Sequence, residues 1–123
     1  QAGRHRMVPI HPKIYDLVKK NYDYALELGS QGLFNDPEAT KGGMTITYDK
    51  YASRFEKVID ALKLNEDHRP HDPRMTFVTM AKKAGVDEYT IKKLVGHRIT
   101  DVTEAAYTDR NLEWLRAELE KIP

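Results

Sequence analysis

Cysteine is missing from all 123 residues, which excludes disulfides, thiolate metal sites and cysteine nucleophiles, and fits a reducing compartment. Net charge of one sign is missing too. Twenty basic residues against nineteen acidic ones leave +1, far from the strongly basic balance that announces many DNA-facing domains. No apolar run approaches the roughly 18 residues of a membrane span, so no membrane partner is expected. The first residues, Gln1 to Arg6, are polar and basic, the reverse of a secretory h-region, and no signal peptide is expected. Internal repeats, low-complexity tracts and convincing linkers are absent. The length suits one domain with one core.

Along the chain, turn signals separate helical periodicities. Arg6-Met7-Val8-Pro9-Ile10 reads as an edge strand, because Pro9 cannot donate to a ladder. Pro12 suits the first turn of a helix whose Ile14, Leu17, Val18 and Tyr22 make one apolar face, broken between Gly29 and Gly32. Leu33-Phe34 reads as a short strand, and Asn35 to Gly43 as a loop. Thr47 is an N-cap for an amphipathic helix carrying Tyr48, Tyr51, Phe55, Val58, Ile59 and Leu62. Asp72 and Pro73 have the order of an N-cap and a first helical residue. Phe77, Val78, Met80 and Ala81 supply buried positions of that helix up to Gly85. Asp87 can cap a short helix with Ile91, Leu94 and Val95, ended by Gly96. Asp101 and Glu104 have capping-box spacing, which predicts one further short helix before Tyr107. Asn111 opens a last helix, about 111–122, with Leu112, Leu115, Leu119 and Ile122 on one side, while Trp114 is offset from that stripe. The fold class expected is mainly α with a small β-sheet (α+β).

Four residues in the second half carry the chemistry. With Asp72 at the helix start, His71 precedes the first turn and Arg74 lies within it, both near the positive end of the helix dipole, where phosphate binds well. Arginine offers a planar fork matched to two phosphate oxygens, and histidine moves protons near neutral pH. His97 follows a helix-ending glycine, and Tyr107 follows ten residues later among small residues. Each element alone is commonplace: His-x-x-Arg occurs widely, and a tyrosine is usually a packing residue. Together they are the parts needed to attack a phosphodiester with a phenol, the cations stabilising phenolate and phosphorane charge.

The stretches His71-Asp72-Pro73-Arg74-Met75-Thr76-Phe77, Ala84-Gly85-Val86, Ile91-Lys92-Lys93-Leu94-Val95-Gly96-His97 and Thr103-Glu104-Ala105-Ala106-Tyr107-Thr108 resemble, motif for motif, the C-terminal half of a tyrosine recombinase, the phage-integrase family. Upstream, Gly3 to His11 resembles the end of that family's β-hairpin, and Leu33-Phe34 with the Tyr48 to Leu62 helix resembles the segment before the histidine-arginine box. The resemblance implies the family's catalytic-domain fold and site-specific recombination of double-stranded DNA, with integration or excision through a 3′-phosphotyrosyl intermediate. It implies no metal or nucleotide cofactor, and other recombinase protomers, in a tetramer on DNA, as partners. Tyr107 would be the nucleophile, Arg74 the second of two phosphate-clamping arginines, His71 a group in proton transfer and phosphate contact, and His97 a hydrogen-bond donor to a non-bridging oxygen. DNA contacts are expected from Arg4, Arg6, Lys92, Lys93 and Arg98, and a cytoplasmic, bacterial, phage or mobile-element setting. The resemblance also implies departures. The family's first arginine lies upstream of the hairpin and nothing here matches it, so residues 1–123 are expected to be an N-terminally truncated catalytic domain, inactive alone, with core- and arm-binding domains elsewhere. The hairpin lysine would fall at about Gln1. Met75 and Pro73 replace commoner family residues.

Three rival readings stay open. Gly85 to Leu94 has the look of the second helix of a helix-turn-helix, which makes a non-catalytic DNA-binding module. His68, His71 and His97 are a conceivable metal set, though no carboxylate pattern completes it. A small interaction domain without chemistry would leave the order of the four residues to coincidence.

Overall fold

The computed structural model describes residues 6–36, 38, 45–97 and 111–123. Five helices lie among them: α1 Tyr15–Leu28, entered through a 3-10 turn at Pro12–Ile14, then α2 Tyr48–Ala61, α3 Asp72–Lys83, α4 Glu88–Val95 and α5 Leu112–Leu119. Contacts divide the chain into two units, one of Gln1–Lys13 with Pro73–Pro123, the other of Ile14–Asp72.

Caps named by short-range sequence signals fall into place. The Thr47 hydroxyl accepts from the Lys50 N–H at 3.3 Å, the Asp87 carboxylate from Thr90 N–H at 3.0 Å, and the Asn111 side chain from Trp114 N–H at 2.9 Å. Gly29, Gly85 and Gly96 end α1, α3 and α4 with φ of 68°, 77° and 78°.

The core of the first unit is a cluster of Ala81, Val86, Ile91, Leu94, Leu115, Leu119 and Ile122, with Phe77 and Val78 packed on it. Periodicity explains who takes part. Leu115 and Leu119 share one side of α5, which lies on α4, and Ile122 joins them from beyond the helix, which ends at Leu119 rather than near 122 as expected. Polar groups fix that contact. The Asp87 N–H donates to the Glu118 carboxylate at 2.9 Å, and the Trp114 indole to the Thr90 hydroxyl at 2.9 Å. The Thr90 hydroxyl itself donates to Asp87 at 2.7 Å. Met80, expected inside, is 42% exposed. Its neighbour Ala81 takes the inward position, and one residue along a helix is a 100° turn.

In the second unit Ala25, Asp36 and Ile59 are buried, whereas Leu17, Tyr22, Tyr48, Val58 and Leu62 are exposed. Both helices therefore carry their apolar faces without burying much of them. The expected sheet is not seen among the described residues. Residues 6–10 pair with no strand, and near Leu33-Phe34 there is one isolated antiparallel bridge, Asn35 to Thr45, with Ile46 N–H on Phe34 O at 2.9 Å. Local bonds compete with a ladder there: Asn35 donates to the Gly32 carbonyl at 2.9 Å and its side-chain oxygen accepts from Ser30. Gly32 backs so closely onto the Thr45 side chain that a Cβ would collide with it. The helix predicted at 101–107 lies outside the described residues.

Candidate functional site

The end of α4 is where the first unit gathers its candidate groups. A helix leaves its last four carbonyls without intrahelical partners. Those of Lys92 and Lys93 are met by the turn that follows, through His97 N–H at 2.8 Å and Gly96 N–H at 3.3 Å, as the left-handed Gly96 reverses the chain. The Leu94 carbonyl accepts from Arg6 Nε at 3.2 Å. The Val95 carbonyl accepts from Arg74 Nη2. Two guanidinium groups thus stand on adjacent carbonyls at the negative end of the α4 dipole, a favourable place for cations. The half-buried Arg74 and the exposed His97 are both bonded to carbonyls of this one helix end, Arg74 from α3 through its side chain and His97 from the α4 cap through its backbone N–H.

The start of α3 differs from expectation. The helix begins at Asp72, one residue earlier than the N-cap assignment, and the Asp72 carboxylate faces back along the chain. It accepts from the Arg69 N–H at 2.9 Å and lies 3.3 Å from His68 Nδ1. The Arg69 N–H first, then His68, hold its carboxyl below the ordinary aspartate value. Because the side chain bonds backward, it does not cap α3. Its charge still sits at the helix start, where a negative group is favoured. Pro73, second in the helix, costs no hydrogen bond, since first-turn N–H groups have no carbonyl to reach. His71 is exposed, one residue ahead of the helix.

The remaining candidates divide. Tyr107, Arg4 and Arg98 lie outside the described residues. Arg6, expected against DNA, is engaged with the Leu94 carbonyl, a contact between residues 88 positions apart. Lys92 sets its ammonium 5.2 Å from the Tyr89 ring centre, a cation–π distance, and Lys93 is exposed. Among the described residues no group of three or more His, Asp or Glu stands close enough to hold a metal ion, and His68 faces Asp72. No described helix is long and apolar enough to cross a membrane.

Sequence reasoning missed the helix-end role of Arg6, the Val95 partner of Arg74, and a contact of His11 Nε2 with the Ile122 carbonyl at 2.7 Å. Local spacing carries no signal for pairs so far apart.

The model of the phage integrase family matches residues 1–113. Tyrosine recombinase XerA of Saccharolobus solfataricus is 41% identical over 73 residues, which are 59% of this chain and 24% of that protein. The chain therefore spans about a quarter of the curated relative's length. No solved structure matches it. With the family model covering more than nine-tenths of its residues, this chain belongs to the phage integrase family.

Proposed function

We propose that the protein containing this chain carries out site-specific recombination of double-stranded DNA by cleaving and rejoining strands through a 3′-phosphotyrosyl intermediate. The observation that carries the reading is that Arg74 and the His97 backbone both bond to carbonyls at the end of α4, within a chain of the phage integrase family.

In this reading the Tyr107 phenolic oxygen attacks the scissile phosphorus. A bond forms between tyrosine and phosphate, the bond to the 5′ oxygen breaks, and that oxygen leaves as a hydroxyl after taking a proton. Arg74 holds non-bridging oxygens with its fork, and His97 donates to one of them, both strengthening as charge grows on the phosphorane. His71, ahead of α3, takes part in proton transfer. Because the covalent link keeps the energy of the broken bond, a 5′ hydroxyl can reverse the step without metal or nucleotide. Rejoining to a new partner makes recombination, and a tetramer of protomers on DNA supplies the four strands.

The 123 residues offer one arginine in a clamp position. Loss of a charge-stabilising donor costs about 3–4 kcal/mol in related oxyanion sites, so the isolated polypeptide is expected not to cleave. The test uses the full-length protein and a pool of nicked duplexes of randomised sequence, which trap a covalent adduct once the short strand diffuses away. Denaturant-resistant adducts that vanish in Tyr107→Phe, while duplex binding persists, support the mechanism. Binding without any adduct overturns it in favour of a DNA-binding module.

A further inference from the structure

Arg6 belongs to none of the positions that the recombinase reading assigns to catalysis, yet it reaches the same helix end as Arg74. Its Nε donates to the Leu94 carbonyl at 3.2 Å, and Arg74 Nη2 donates to the next carbonyl, that of Val95. Gly96 and His97 follow directly. We infer that Arg6 is a positioning residue: it braces the end of α4 so that Arg74 and His97 keep the geometry that phosphate binding needs. The inference rests on the recombinase reading for its consequence in catalysis, and on hydrogen bonding alone for the brace.

Leu94 is 4% exposed, so its carbonyl lies at the margin of the core, where a lost partner is costly to replace with water. Without Arg6 the Leu94 carbonyl loses this donor, beside the carbonyl that Arg74 occupies. Arg74 can then slide by one residue, and the cap carrying His97 can fray with it. Pro9, three residues beyond Arg6, is buried. A long side chain delivered from position 6 thus sets the register of two groups contributed by α3 and the α4 cap.

Two measurements on the full-length protein test this. With arginine and histidine labelled by 15N, Arg6→Ala should move the Arg74 guanidinium and His97 ring signals, and Arg6→Gln, which can still donate to a carbonyl, should restore most of their positions. On duplexes recovered from the covalent-capture pool, Arg6→Ala should slow adduct formation at saturating DNA by roughly 10- to 100-fold, the effect of a small misplacement of catalytic groups, with duplex affinity unchanged. Arg6→Gln should recover much of that rate. Unmoved Arg74 and His97 signals overturn the inference. So does a loss confined to affinity, with the salt dependence flattened by about one phosphate, which would make Arg6 a backbone contact. If the unsubstituted protein forms no Tyr107-dependent adduct, the recombinase reading fails and the labelled spectra still decide the brace.

Discussion

Thr90 ties α4 to α5, and removing only its hydroxyl tests that role. The residue is fully buried. Its hydroxyl donates to the Asp87 carboxylate at 2.7 Å and accepts the Trp114 indole N–H at 2.9 Å. Valine has nearly the same shape and neither bond. A hydrogen bond to a charged group contributes about 1.5–3 kcal/mol and a neutral one about 0.5–1.5 kcal/mol. Two effects reduce the loss. Asp87 keeps the Thr90 backbone N–H at 3.0 Å, and Trp114, partly exposed, can turn its indole N–H to water. The added methyl is worth about 0.8 kcal/mol of burial. Thr90→Val is therefore expected to cost about 2 kcal/mol. Thr90→Ser, which keeps the hydroxyl and loses a methyl, should cost about 1 kcal/mol, in the range of Ile→Val changes. The chain has a single tryptophan, and it is at this junction, so urea unfolding followed by Trp114 emission reads the contact directly. Thr90→Val as stable as Thr90→Ser would refute the argument, because the hydroxyl would then contribute nothing beyond its volume.

Two further outcomes are expected. The Asp36 carboxyl is held below its ordinary value by the Lys50 ammonium first and the Glu38 N–H next, so its folded pKa lies under its unfolded one. Its contribution is then complete above the ordinary aspartate range and is lost as pH falls through the lower, folded value, so acid should weaken the second unit and Asp36→Asn should flatten that pH dependence in thermal melts followed by circular dichroism. At the α4 end, Arg74→Lys should be as damaging as Arg74→Ala, since one ammonium cannot both hold the Val95 carbonyl and grip two phosphate oxygens. Adduct formation should fall about 100-fold or more in both, with duplex affinity kept within a few-fold. A lysine variant near the normal rate would remove Arg74 from the clamp.

What could be read from the sequence was local. Thr47, Asp87 and Asn111 cap their helices through groups three residues away, and Gly29, Gly85 and Gly96 end helices because their own φ angles are positive. Of the stripe Leu112, Leu115, Leu119 and Ile122, Leu115 and Leu119 are buried on one side of α5, and Ile122 is buried past the helix end. Errors came where a neighbour decides. Residues 6–10 have a strand's composition and no described strand to pair with, and Leu33-Phe34 is bent by bonds from Ser30 and Asn35. Asp72, spaced like a cap, is drawn backward by the Arg69 N–H and His68. The α1 and α2 periodicity gave helices correctly and burial poorly, because a stripe says which face can be covered and nothing about what covers it.

The candidate site divides along the same line. The types and order of His71, Arg74, His97 and Tyr107 are legible, since they depend on side-chain chemistry and spacing. The orientation of Arg74 is not, because it is set by a backbone acceptor, which every residue has. Backbone carbonyls leave no mark in a sequence, and only a fold reveals which of them lack partners. At the end of α4 the carbonyls of Leu94 and Val95 accept from guanidinium groups 88 and 21 residues away. An arginine fixed through one nitrogen has fewer ways to point the others, so using Arg74 to complete the helix end also preorganises it. In the proposed reading, the capping requirement of a short helix and the orienting requirement of a phosphate clamp are met by the same hydrogen bond, so a change that disturbs one would disturb the other.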